Sequence, residues 1–344
     1  MNVLVTGGTG YIGSHTVVEL INKGYHPILI DNLSNSREDV VQAIEEITGK
    51  KIDFFNIDLC RKKTLDKFFS VYKIDAIIHF AAFKAVGESV QDPLKYYRNN
   101  LLSLINLLEI VQEKKLDNFV FSSSCSVYGQ AIQQPVTENT ELQKAESPYG
   151  NTKKIGEEIL TDALKANNFH ALSLRYFNPG GSHASSLIGE YPLQAPNNLV
   201  PVITQTAMGI RESMTVFGND YNTPDGTCIR DYIHVVDIAK AHVAAIDYLI
   251  NKKYKKPLTV INLGSGKGHS VLEAIQTFEK ISGKKLNYQI GSRREGDIEK
   301  VWADITLAAT ELNWHPKHNL EDILRSAWAW EQHLAGKLHH NTEN

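Results

Sequence analysis

The sequence predicts a doubly wound α/β protein, a parallel sheet with helices on both faces, joined to a smaller C-terminal α/β region. Three observations predict it. Short β-branched apolar runs alternate with stretches of helical periodicity through the first half of the chain. The first run stops at a glycine cluster that opens a helix. Near residue 178 the texture turns to Pro, Gly, Asn and Ser, where a second region begins. At 344 residues the chain is long enough for about two domains, each with a packed core.

Residues 2–6 (NVLVT) read as the first strand, and the apolar positions from Ile12 to Ile21 recur at helical spacing. HPILID (26–31) is a second buried strand, and KIDFFNIDL (51–59) contains a strand-like stretch. DAIIHFAA (75–82), NFVFSSS (118–124) and HALSLRYFN (170–178) follow, with helices expected over 100–113 and 149–167. Near-continuous apolar strands belong to a parallel sheet covered on both faces. The expected division is 1–177 and 178–344, with PLTVINLGSG (257–266) returning to the first sheet. No internal repeat stands out. The polar tail KLHHNTEN is expected to fray, with His339 and His340 solvated rather than ligating.

Composition excludes several classes. Against 36 Lys and Arg stand 39 Asp and Glu, a net charge of −3 and a pI near 6.5. That balance offers no surplus charge for a nucleic-acid backbone. Cys60, Cys125 and Cys228 are odd in number and far apart, so neither a disulfide framework nor a cysteine zinc site is expected, and no metal is assigned. The N-terminus MNVLVTGGTGYIGSH has neither a basic n-region nor a long apolar h-region, and no apolar run is long enough to cross a bilayer. The expectation is a soluble, reduced, cytoplasmic protein with no membrane partner.

Gly7-Gly8-Thr9-Gly10-Tyr11-Ile12-Gly13 directly follows the first strand. Gly7 allows a sharp turn, Gly10 lets backbone approach a pyrophosphate, and Gly13 lets the helix pack on the strand with its N–H groups aimed at the anion. A lone glycine triplet is an ordinary turn. Strand before and helix after make this one a Rossmann-type dinucleotide loop. Asp31 ends the second strand, 18 positions after Gly13, where a carboxylate accepts from both adenosine ribose hydroxyls and repels a 2′-phosphate. The following Asn32, Leu33, Ser34, Asn35 and Ser36 include no base before Arg37, so the cofactor reads as NAD rather than NADP. Asp58 reads as an adenine contact or as a solvated turn aspartate.

In Ser147-Pro148-Tyr149-Gly150-Asn151-Thr152-Lys153, serine suits an N-cap and proline the first helical turn. Tyr149 and Lys153 then share one helix face. A free tyrosine, with a pKa of about 10, is a poor base near neutrality. A neighbouring ammonium and a nicotinamide cation both favour its phenolate. A surface Tyr/Lys pair is the competing reading. Position favours chemistry, because the pair follows a strand ending in Ser122-Ser123-Ser124, and ligands of open parallel sheets bind beyond the carboxyl ends of strands.

Together the glycine loop, the strand-end serines and Y-x-x-x-K resemble the extended short-chain dehydrogenase/reductase family, and in detail its UDP-hexose 4-epimerases. VTGGTGYIGSHT, DNLSNS, HFAAFKAVGESV, FSSSCSVYG, SPYGNTK, LRYFNPGG, PNNLVP, FGNDY, DGTCIRDYIHVVD, NLGSG and REGD carry the likeness from residue 2 to about residue 305. The resemblance implies tightly held NAD, a transient 4-keto sugar and inversion of C4 in UDP-glucose and UDP-galactose. Tyr149 would take the 4-hydroxyl proton. Ser124 would bond the 4-oxygen, and Lys153 would hold the nicotinamide ribose and tune Tyr149.

The same resemblance implies cofactor contacts at Tyr11, Ile12, Asn32, Asn35, Ser36, Leu59, Phe80, Ala81 and Ser122. Lys84, Asn99 and Phe177 match further cofactor contacts, against bland readings as a solvated lysine, a helix surface and a core strand. For the UDP-sugar it implies Asn178, Asn198 and Leu199, an aromatic beside uracil at Phe217, a diphosphate clamp of Arg230 and Arg294, and a ribose acceptor at Asp297. Without the family, each arginine reads as a surface ion pair. Asp231, His234 and Asp237 lie in a matching string and read as structural. Val301 stands where some family members carry tyrosine. Being small, it implies room for an N-acetyl group and activity on UDP-GlcNAc and UDP-GalNAc, with a packing valine as the alternative.

A variant with UDP-GlcNAc epimerisation as main activity shares every one of these features. A nucleotide-sugar 4,6-dehydratase shares the fold but needs an acidic pair just before V-Y-G, where this chain has Cys125 and Ser126. A non-catalytic NAD sensor has no use for Tyr149, Lys153 and Ser124 together. The family implies a homodimer through paired helices, and LLSLINLLEIV (101–111) suits either that face or core packing.

Overall fold

The computed structural model describes residues 1–294 and 296–342. The first half alternates strand and helix: β1 (Asn2–Thr6), α1 (Tyr11–Asn22), β2 (His26–Asp31), α2 (Asp39–Thr48), β3 (Asp53–Asn56), α3 (Lys62–Val71), β4 (Ala76–His79), α4 (Val86–Gln91), α5 (Pro93–Lys114), β5 (Asn118–Ser124), α6 (Pro148–Ala166) and β6 (His170–Tyr176). The second half is more irregular. It runs β7 (Asn178–Gly180), α7 (Leu199–Ala207), β8 (Met214–Phe217), β9 (Ile229–Arg230), β10 (Tyr232–His234), α8 (Val235–Ile250), β11 (Leu258–Leu263), β12 (His269–Ser270), α9 (Val271–Ser282), β13 (Tyr288–Gly291), β14 (Lys300–Val301), α10 (Thr306–Leu312) and α11 (Leu320–Thr342).

Seven parallel strands form the main sheet in the order β11-β6-β5-β4-β1-β2-β3. The chain winds outward from β1 through β3, then returns to lay β4 on the other side of β1. A crevice opens at such a switch point, beyond the carboxyl ends of β1 and β4. Both faces are packed. Val17, Val18 and Leu20 of α1 and Ile238, Ala241 and Ile246 of α8 cover one face, and Leu65, Leu104, Leu107 and Leu160 of α3, α5 and α6 cover the other. Each of these Val, Leu and Ile side chains removed from water contributes about 1.5–3 kcal/mol.

Local signals explain where the helices begin. Asp92 caps α5 by accepting from Lys95 N at 3.2 Å, with Pro93 in the first turn, so α5 starts seven residues before the expected 100. Ser147 caps α6 through Gly150 N at 3.1 Å, again with proline next. Ser270 and Glu273 form a reciprocal capping box on α9.

Three findings differ from the sequence expectations. The fifth long strand breaks at Phe177: Tyr176 still pairs in the main sheet, whereas Asn178 pairs with Tyr232 in a separate two-stranded sheet. Besides the expected return of β11, α8 and α10 also enter the first core, contributing Ile238 and Leu312 alongside Leu263. The C-terminal tail does not fray early. Its backbone stays helical through Thr342, while the side chains of His339 and His340, and Glu295 of the REGD string, lie outside the described residues.

Candidate active site

A single large cavity of roughly 1470 Å³ runs from the β1–α1 turn across the carboxyl ends of β4, β5 and β6 to the irregular second half. Every sequence-predicted site residue lines it except Val301. Val301 is buried, in a cluster with Val127, Tyr128 and Phe177. It pairs with Arg230 across β14 and β9, so it stands behind the wall rather than in it.

At one end the glycine loop is shaped by contacts that leave no room for a side chain. Gly7 has φ +69°, and a Cβ there would lie 2.9 Å from Ala81 N. A Cβ on Gly13 would lie 2.2 Å from the Gly7 carbonyl oxygen. No side chain caps the start of α1, so the N–H groups of Tyr11, Ile12 and Gly13 remain available to an anion. Asp31 accepts from Thr9 N at 3.3 Å, Leu33 N at 2.9 Å and Ser36 Oγ at 3.0 Å, which fixes its carboxylate at the mouth of the crevice. Arg37 is occupied by Asp39, with its Nε 3.0 Å from Oδ1, and by the ring of Tyr191 at 4.8 Å. The cradle and a fixed carboxylate fit a dinucleotide with a free 2′-hydroxyl. Asn32, Asn35, Asp58, Leu59, Phe80 and Asn99 line the flanks of the same groove.

In the middle lie the strand-end serines and the start of α6. Lys153 Nζ donates to Ser122 O at 2.6 Å and sits 5.1 Å from the Phe121 ring centre. Burial lowers this lysine to about 8, with Glu157 pulling the other way. Ser122 Oγ is bonded to the Tyr176 hydroxyl. Burial holds the Tyr149 phenol well above its usual value, and the nearby Ser124 hydroxyl offsets this only in part. The sequence predicts a phenol lowered by its lysine neighbour. In the protein alone desolvation dominates, and the lysine ammonium is engaged by a carbonyl.

The far end is built from side chains. Phe217 closes β8 with 42% of its surface exposed, and the Arg294 guanidinium lies 5.3 Å from its ring centre. Arg294 Nη2 donates to Asp297 Oδ1 at 2.7 Å, and Arg230 Nη2 stands 3.9 Å from the same oxygen. Asn178 Oδ1 is buried without a partner, an acceptor facing the cavity wall. Asn198, just before Leu199 at the start of α7, donates to Glu190 Oε1 at 2.8 Å, and Lys84 Nζ donates to that same oxygen at 2.8 Å.

Asp231 and Asp237 make structural bonds. Asp231 accepts from Ser265 N and Oγ, Gly266 N and Ala303 N, while Asp237 holds the Lys317 and His318 amides. His234 bonds Ser326. Sequence reasoning missed Glu190, Ser126 and Tyr176. Glu190 sits in an aperiodic stretch that carries no spacing signal. Ser126 and Tyr176 each stand beside a predicted residue, and only long-range geometry gives them partners. The acidic pair of an eliminating enzyme is absent at Cys125 and Ser126, and burial pushes the Cys125 thiol up, away from acid–base use.

The chain is similar to known proteins over nearly its whole length. A family model described as GDP-mannose 4,6 dehydratase matches residues 4–327. The UDP-glucose 4-epimerase of Dictyostelium discoideum is 48% identical over 330 residues, covering 96% of this chain and 95% of that one. A solved UDP-glucose 4-epimerase from Stenotrophomonas maltophila, with bound NAD and formylated UDP-arabinopyranose, superposes with a TM-score of 0.94 at 44% identity, covering 98% of this chain and 99% of the other. The UDP-Glc/GlcNAc 4-epimerase of Campylobacter jejuni superposes with a TM-score of 0.83 at 38% identity, over 96% and 99% of the two chains.

Proposed function

The chain belongs to the extended short-chain dehydrogenase/reductase family and, within it, to the NAD-dependent UDP-glucose 4-epimerases, and on that premise we propose how its own residues divide the work. Residues 1–177 hold NAD and residues 178–344 hold the UDP-sugar, apart from the elements that return to the first core. The observation that carries this reading is that Ser124, Tyr149 and Lys153 line one cavity together with the glycine loop, Phe217 and Arg230.

When bound, NAD supplies a reversible hydride acceptor, which no side chain of this site can be. The free N–H groups at the start of α1 hold its pyrophosphate, Asp31 its adenosine ribose, and Lys153 its nicotinamide ribose. Tyr149 Oη takes the proton of the sugar 4-hydroxyl and later returns it. Ser124 donates to the 4-oxygen as negative charge develops there. Arg230 and Arg294 clamp the diphosphate, Asp297 accepts from the uridine ribose and Phe217 stacks on uracil. Anchored at that end, the transient 4-keto sugar turns over within the cavity and C4 is inverted.

The substrate range extends to UDP-GlcNAc and UDP-GalNAc. Supporting this is the small side chain at 301, since a bulkier group in the cluster it shares with Phe177 would press the wall inward. The protein pairs with a second copy through α5, where Leu102 and Ile105 stay exposed while Leu104 and Leu107 serve the core. It works in the cytoplasm, a reading supported by three free cysteines. No helix among the described residues is long and apolar enough to cross a membrane.

Incubation of the purified protein with UDP-glucose and with UDP-GlcNAc separately, without added NAD, is expected to epimerise both. Conversion of UDP-glucose alone would remove the acetylated substrates and the argument from Val301.

A further inference from the structure

A serine hydroxyl has one proton and two acceptor lone pairs, and at Ser124 a single neighbour occupies both acceptor positions. The backbone N–H of Ser126 donates to Ser124 Oγ at 3.2 Å, and the Ser126 hydroxyl donates to it at 3.0 Å. The hydrogen-bonding capacity left on Ser124 is its own proton, and Ser124 and Tyr149 line the same cavity. Ser126 is clamped in this pose. A Cβ on Gly150, the residue after Tyr149, would stand 3.3 Å from both Ser126 Cβ and Oγ, so α6 rests directly on this serine.

We propose that Ser126 is a positioning residue that sets the direction of the Ser124 proton, holding Ser124 as a permanent donor toward Tyr149 and the sugar 4-oxygen. The proposal rests on the roles given above to Ser124 and Tyr149. Its physical content is preorganisation. An unconstrained hydroxyl presents a lone pair to the developing oxyanion part of the time and must rotate during the reaction, whereas a hydroxyl with both lone pairs filled already points its proton there. Elimination chemistry would need a carboxylic acid at this position. A hydroxyl that donates backward instead keeps the neighbourhood free of charge.

The test compares Ser126→Ala, Ser124→Ala and the double variant in steady-state epimerisation of UDP-glucose, with bound NAD measured in each preparation. Ser126→Ala is expected to lower kcat about tenfold while KM stays within about twofold. The acid limb of its kcat profile should move to higher pH, because Tyr149 loses a well-aimed donor to its ionised form. The double variant should be no slower than Ser124→Ala alone, since Ser126 acts only through Ser124. Wild-type kcat in Ser126→Ala, or a double variant whose loss is the product of the two single losses, would overturn the proposal. Wild-type kcat in Ser124→Ala would instead overturn the assignment of Ser124 itself, which separates the two failures.

Discussion

The two ends of the cavity are made of different material. The cofactor end is largely backbone, with glycines packed too closely for any side chain, an uncapped helix terminus, and a carboxylate fixed by three donors. The nucleotide-sugar end is side chains on short strands and loops, and before a ligand arrives they bind one another, Arg294 to Asp297 and Asn198 to Glu190. Backbone geometry costs no reorganisation when the ligand enters. Paired side chains must first let go. Arg294 is about half exposed, so its pair is worth about 0–1 kcal/mol, less than the charge-assisted bonds a diphosphate offers, at about 1.5–3 kcal/mol each. The difference suits the function proposed above, in which NAD stays bound while the UDP-sugar exchanges.

Gly13→Ala strikes directly at the backbone cradle. With the new Cβ 2.2 Å from the Gly7 carbonyl oxygen, the loop must open and the start of α1 must shift away from its anion site. Purified Gly13→Ala is expected to retain almost no NAD by absorbance and to lose roughly a hundredfold or more of its activity without added cofactor, in keeping with a steric cost of a few kcal/mol. Full NAD content in that variant would mean the cradle is not what holds the dinucleotide.

Arg294→Ala probes the other end, with a smaller expected effect. NAD content should stay at the wild-type level while KM for UDP-glucose rises about ten- to a hundredfold, because a charge-assisted contact is lost from the exchanging ligand alone. A variant that lost NAD as readily as it lost sugar affinity would show that the two ends are mechanically one, against the contrast drawn here.

The same contrast explains what could be read from sequence. Gly7, Gly10 and Gly13, Asp31, and the Tyr149–Lys153 pair are legible because local chain geometry alone sets their chemistry: a turn, a strand end, one helical turn. Glu190 and Ser126 are not, since their meaning comes from Lys84, Asn198 and Gly150, which are brought to them by the fold. The placement of α8 and α10 in the first core, although both follow residue 178, is likewise a long-range outcome that no periodicity encodes. Val301 is legible as small but not as recessed, because register within a two-residue strand follows from its partner β9 rather than from its own sequence.

The smallest effect concerns a buried charge in the middle of the cavity, Lys153. Burial lowers Lys153 to about 8, whereas in the unfolded chain a lysine keeps its proton to about 10.4. Between those values the unfolded state binds more protons than the folded one, so this group makes the protein more stable as pH rises through that window. Lys153→Met removes the titration. With NAD stripped from both proteins, since bound ligand adds its own stabilisation, denaturant melts from pH 7 to 10.5 should show wild type gaining on the variant by on the order of 1 kcal/mol. A difference that stays flat, or runs the other way, would mean that the bond from Lys153 Nζ to the Ser122 carbonyl keeps the lysine charged despite its burial. The cavity would then hold a fixed positive charge before any cofactor enters it.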